Sequence, residues 1–173
     1  HQYYSGNYIM KGFGQNNNQK NNKKIINALS NEEKLISDAI KLHTNGNIKD
    51  ASNIYIFLIK KGCKDLRVHR NLGVIYQQNR RFEDAKTIYF EIIKNYPNSP
   101  EIYFNLGKIF QEESELKKAT SFFKKALNLK PDYLIAYHNL INIYINLNIF
   151  EEAANILKKC TEIFPEDFNT LIN

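Results

Sequence analysis

From about residue 32 onward the apolar side chains return at helical spacing, not in the alternation of strands. Ala85, Ile88, Tyr89, Ile92 and Ile93 fall at i, i+3, i+4, i+7 and i+8, and so do Ala119, Phe122, Phe123, Ala126 and Leu127; each set lines one face of an α-helix. The pattern then repeats as a whole. Ala51, Ala85, Ala119 and Ala153 stand 34 residues apart with no insertion. Taking this alanine as position 20 defines four repeats, 32–65, 66–99, 100–133 and 134–167. Constant periodicity of this length predicts a solenoid of stacked supersecondary units.

Other columns follow the same register. Position 8 is Ala39, Gly73, Gly107 and Ile141; position 11 is Leu42, Tyr76, Phe110 and Tyr144; position 24 is Tyr55, Tyr89, Phe123 and Leu157. Small residues at 8 and 20 let two antiparallel helices approach closely, and large ones at 4, 11 and 24 fill the space between them and the next pair. Ala51, Ala85, Ala119, Ala153, Gly73, Gly107, Tyr76, Phe110 and Tyr144 are therefore expected to be packing residues. Position 32 is Cys63, Pro97, Pro131 and Pro165, and proline there ends the second helix of a repeat. The turn between the helices falls near position 15, where Gly46 and Asn148 suit a left-handed C-cap and Arg80 and Ser114 suit it less well.

These columns resemble the tetratricopeptide repeat family over about residues 32–167, roughly four-fifths of the chain. Leu72-Gly73, Tyr76, Ala85, Tyr89 and Pro97 carry the resemblance in the second repeat. Tyr103, Leu106-Gly107, Phe110, Ala119, Phe123, Ala126 and Pro131 carry it in the third, and Tyr137, Leu140, Tyr144, Ala153 and Pro165 in the fourth. The first repeat is the most divergent, with Asp38-Ala39 and no proline. The resemblance implies an all-α fold, a right-handed superhelical solenoid of antiparallel helix pairs with about four units. It also implies a concave groove lined by first-helix positions 2, 5, 6, 9, 12 and 13, which binds an extended peptide or a segment of a partner protein.

Position 6 holds Ser37, Asn71, Asn105 and Asn139. A carboxamide both donates and accepts, so a row of them can pair with a peptide backbone whatever its side chains. The row resembles the asparagine ladder in the repeats of O-linked N-acetylglucosamine transferase. Neighbouring groove candidates are Arg67 and Arg70, then Phe104, Lys108 and Glu112, then His138, Asn142 and Asn146. Arg67 and Arg70 stand at i, i+3 and could together meet one carboxylate or acidic segment. Related co-chaperones grip a terminal carboxylate through Lys and Asn on the first helix of the first repeat. Ile36 and Ile40 occupy those places here.

The charge balance adds little. Of a net +6, four positive charges are Lys11, Lys20, Lys23 and Lys24 on an acid-free stretch, leaving the repeats nearly neutral. A nucleic-acid surface is not expected from such a distribution. Residues 1–29 are Asn/Lys-rich, and Gln15-Asn16-Asn17-Asn18-Gln19-Lys20-Asn21-Asn22 lacks any apolar side chain, so this tail is expected to be disordered. Order is expected to begin at the capping box Ser30-Asn31-Glu32-Glu33. Cys63 and Cys160 lie far apart, with Cys160 at a buried position, so free thiols, a cytoplasmic location and no metal or other cofactor are expected. His43 and His69 are expected to pack between helices. Neither a catalytic constellation nor a membrane segment is legible, so the chain is read as non-catalytic.

A looser resemblance concerns the N-terminal half. Met10-Lys11-Gly12-Phe13-Gly14, the Asn/Lys spacer and Lys41-Leu42-His43-Thr44-Asn45-Gly46-Asn47-Ile48 resemble a group of bacterial proteins whose repeats precede a sugar-, methyl- or sulfotransferase domain. That implies an alternative function, recruiting substrate for such a domain. At the other end, residues 168–173 read as the opening of a fifth repeat. The last helix would leave Ile156, Leu157 and Cys160 partly uncovered, to be covered by further chain or by self-association.

Overall fold

The computed structural model describes the backbone of residues 15–165 and the side chains of residues 30–165. Among them are eight α-helices and no strand: α1 (Gln15–Thr44), α2 (Ile48–Lys60), α3 (Leu66–Gln78), α4 (Phe82–Asn95), α5 (Pro100–Glu112), α6 (Leu116–Leu129), α7 (Leu134–Asn146) and α8 (Phe150–Ile163). The chain divides into two compact units, His1–Ile54 and Tyr55–Asn173.

The first unit departs from expectation at its start. α1 begins at Gln15 and runs unbroken through Ser30, which is exposed in mid-helix. Ser30-Asn31-Glu32-Glu33 therefore caps nothing, and residues 15–29 are helical, not disordered. Once a helix is nucleated, each further residue adds a hydrogen bond for the two dihedrals it fixes. Ile25, Ile26, Leu29 and Ile36 also stand at helical spacing. Residues 1–14 of the expected tail, and residues 168–173, lie outside the described residues.

In the second unit α3 packs on α4, α5 on α6 and α7 on α8, while α4 meets α5 and α6 meets α7. The α3–α4 and α5–α6 pairs nest because one helix gives up a side chain where the other presents a ring; α7 and α8 carry Ile141 and Leu157 at the same positions instead. A Cβ on Gly73 would stand 3.0 Å from Cδ1 and Cζ of Tyr89; one on Gly107 would stand 2.7 Å from Cδ1 and Cε1 of Phe123. Real Cβ atoms do not approach that closely, so positions 8 and 24 of one repeat form a lock. Ala85, Ala119, Tyr89 and Phe123 are wholly buried, Ala153 nearly so. Ala51 is likewise buried. Phe110 and Tyr144 join the core, and Tyr76 is half-exposed, its ring covered by the Arg81 guanidinium 4.3 Å away.

Position 15 is left-handed in all four repeats: Gly46 has φ +82°, Arg80 +57°, Ser114 +62° and Asn148 +57°. The bonds that enforce this recur too. The amides of Arg81, Glu115 and Ile149 each donate to the carbonyl five residues back, Tyr76, Phe110 and Tyr144, at 2.8 Å. Those of Arg80, Ser114 and Asn148 donate three residues back at 2.9–3.0 Å. Together they make a Schellman turn, whose bonds satisfy otherwise orphaned carbonyls. A non-glycine residue pays a steric penalty there, so Ser114→Gly is expected to raise stability by ~1 kcal/mol, checked by chemical unfolding. The second helices end at Asn95, Leu129 and Ile163, two residues before Pro97, Pro131 and Pro165. α2, which has no proline after it, closes instead on Gly62 (φ +86°), with the Cys63 amide donating to Leu58 O at 3.0 Å.

Candidate functional site

The asparagines at position 6 do not stand alone. Asn71 Nδ2 donates to the Tyr55 hydroxyl at 3.1 Å, and Asn105 Nδ2 donates to the Tyr89 hydroxyl at 3.2 Å. Both tyrosines are buried position-24 residues of the preceding repeat. Burial pushes both phenols up from their ordinary range, so they stay neutral and able to donate as well as accept. Tyr89 uses that second capacity on Gln77 Oε1 at 3.3 Å. The result is a relay, Asn105 to Tyr89 to Gln77, which fixes the amide's orientation. One N–H of each Nδ2 is engaged inside the protein, and Oδ1 of Asn71 and of Asn105 has no partner among the described residues.

The relay is broken at the next repeat. Position 24 is Phe123, which has no hydroxyl. Asn139 Nδ2 turns back to its own helix, donating to Ile135 O at 2.6 Å. Gln111, the counterpart of Gln77, keeps a buried Oε1 with no hydrogen-bond partner. One missing oxygen thus accounts for both differences. Phe123→Tyr is expected to restore the bonds and raise stability by ~1 kcal/mol, measured by thermal unfolding. A neutral or adverse change would show that the pocket at Phe123 cannot take the hydroxyl that Tyr55 and Tyr89 carry.

Between α3 and α5 lies a depression of about 450 Å³ lined by Val74, Gln77, Gln78, Arg80, Phe104, Asn105, Lys108 and Glu112. Phe104, Asn105, Lys108 and Glu112 of the expected groove thus share one surface. Phe104 corrects the expectation of a free contact residue. It is only 9% exposed, packed at 5.4 Å from the Phe123 ring and 5.1 Å from Tyr133, and so forms the floor. Arg67 is a second correction to the two-arginine site. Asp65, the N-cap of α3, takes its guanidinium at 2.8 Å and its amide at 2.7 Å. The bidentate contact holds the Asp65 carboxyl below its usual range. Arg70 is exposed and makes no ion pair among the described residues. It lies close enough to the Tyr89 hydroxyl to act on it electrostatically.

On α7, His138 and Asn139 are half-buried and Asn142 and Asn146 exposed. His138 Nε2 is buried without a partner. At the rim Arg80 pairs with Glu112 at 3.6 Å across repeats; Lys86 of α4, which does not line this depression, pairs with Glu113 at 3.0 Å. Sequence reasoning missed Tyr55, Tyr89, Gln77 and Gln111 as parts of the site. The signal was present in the recurrence of Tyr at position 24 sixteen residues before Asn at position 6. Of the remaining candidates, His69 is buried with Nδ1 3.0 Å from Asp65 O. His43 is half-buried. Cys63 and Cys160 are both buried, and Cys160 is fully so, not partly uncovered. Ile156 and Leu157 are half-exposed. Among the described residues no group of three or more His, Cys, Asp or Glu could hold a metal ion. No described helix is long and apolar enough to cross a membrane.

Comparison with known proteins agrees with this geometry. Two family profiles, both described as tetratricopeptide repeat, match residues 70–99 and 110–170. The solved structures that resemble the chain include a crystal structure of MamA, 20% identical, with a TM-score of 0.71 over 92% of this chain and 98% of that one. MamA 41-end from Desulfovibrio magneticus RS-1 is 18% identical, with a TM-score of 0.69 over 76% of this chain and 75% of that one. MamA AMB-1 is 20% identical, with a TM-score of 0.66 over 76% and 72%. At such identities the likeness establishes the all-α solenoid fold. No curated protein sequence matches the chain.

Proposed function

Because the chain belongs to the tetratricopeptide repeat family, a scaffold for protein–protein interaction, we propose that its first helices form a non-catalytic groove that binds an extended segment of a partner protein. The observation that carries this reading is the pair of relayed amides. A buried tyrosine holds the Nδ2 side of Asn71 and of Asn105, leaving Oδ1 available as an acceptor. Backbone amides of an extended segment are the natural donors for such a row, since every residue except proline carries one. Orientation is set before the partner arrives, which lowers the ordering cost of binding. Asn139 belongs to the same row with its Nδ2 engaged on its own helix. Lys108 and the Arg80–Glu112 pair flank the floor made by Phe104.

The test is a fluorescence-anisotropy titration of acetylated, amidated peptides selected on an array against the full chain. Asn71→Ala/Asn105→Ala/Asn139→Ala is expected to weaken binding at least about tenfold, for the loss of up to three modest hydrogen bonds. The far-UV circular dichroism should not change. Equal affinity of the triple variant for every selected peptide would remove the asparagine row from the account.

A further inference from the structure

The two ends of the asparagine row differ in chemistry. At the α3 end Arg70 is exposed without a carboxylate, whereas Arg67 is neutralised by Asp65 and Arg80 by Glu112. At the α7 end the same helix face holds Ile135, His138, Asn139 and Asn142, with no charged side chain. Ile135 is 50% exposed. Glu101, exposed at position 2 of α5, disfavours a second carboxylate midway.

α3 and α7 are two repeats apart, about 20 Å at the usual separation of packed helices. An extended chain advances about 3.3 Å per residue. Building on the groove reading above, we infer that the partner segment carries an Asp or Glu over Arg70 and a branched aliphatic side chain over Ile135, separated by about six residues of extended chain. The charge supplies selection at one end and apolar burial at the other, while the asparagines hold the backbone between them.

The experiment uses a positional-scanning array of acetylated, amidated decapeptides, probed with the full chain and followed by anisotropy on the best sequences. The expected selection is one acid and one Leu, Ile or Val at that spacing. Changing the acid to its amide should weaken binding about fivefold. Changing the aliphatic residue to serine should weaken it about tenfold. Arg70→Ala should abolish only the first difference and Ile135→Ser only the second. Phe150→Ser, at an exposed position on α8 outside the first helices, should abolish neither. All three positions are exposed or nearly so, and each variant is expected to keep the parent's circular dichroism. Selected peptides without that acid–aliphatic pair, or Arg70→Ala and Ile135→Ser variants that discriminate as the parent does, would overturn the inference. If the triple asparagine variant still loses affinity, the groove reading survives it. If the triple variant binds as the parent does, or the array yields no binder, both fall.

Discussion

Phe123→Ala is expected to destabilise the protein by about 4 kcal/mol, the range for emptying a fully buried aromatic site. The Phe123 ring is wholly buried, lies 5.4 Å from the Phe104 ring and fills the space that Gly107 leaves open. Its removal strips the third repeat of the group that holds α5 to α6 and takes away one wall of the groove floor. For a chain of this size the melting midpoint should fall by roughly 10 °C. In a linear array each repeat is stabilised chiefly by its neighbours, so loss at the third repeat should reach the fourth as well. Thermal unfolding followed by circular dichroism measures the shift, and a midpoint within a degree or two of the parent would contradict the packing described here.

Gly107→Val is expected to cost about 3 kcal/mol, the upper part of the range for overpacking a filled core. Valine should be a better helix former than glycine, so local propensity alone points the other way. The sign is decided by the ring opposite, whose Cδ1 and Cε1 would lie 2.7 Å from the new Cβ. A double-mutant cycle isolates that contact. In a Phe123→Ala background most of the Gly107→Val penalty should vanish, giving a coupling of ~2 kcal/mol between the two sites. Additive penalties would mean that Gly107 is required for some reason other than the ring.

The same register that exposed the repeats also placed the position-6 asparagines on one row. The candidate site was legible to that extent. Composition and periodicity could assign a side chain to a helix face, but they could not say whether its hydrogen-bonding capacity was already spent. Register alone puts Asn71 and Asn105 on one row, and only the folded chain commits an N–H of each to Tyr55 and Tyr89. Spacing pairs Arg67 with Arg70, whereas the cap of its own helix claims Arg67. Position sets Phe104 in the groove, and packing makes it the floor. At the start of α1 the capping-box motif was a valid local signal, overridden by a helix that continues through it.

Sequence by itself determined where the chain turns and where it can nest. Small residues at positions 8 and 20, rings at 24 and a stop near 32 act within one helical hairpin, where contacts are short in sequence and the 34-residue period repeats them, fully in the second and third repeats and with departures in the first and fourth. Tertiary structure alone decided which hydroxyl meets which amide. Those bonds join a second helix to the next repeat's first helix and exist only after the hairpins have stacked. Their polarity then hangs on whether one ring, Tyr89 or Phe123, carries an oxygen.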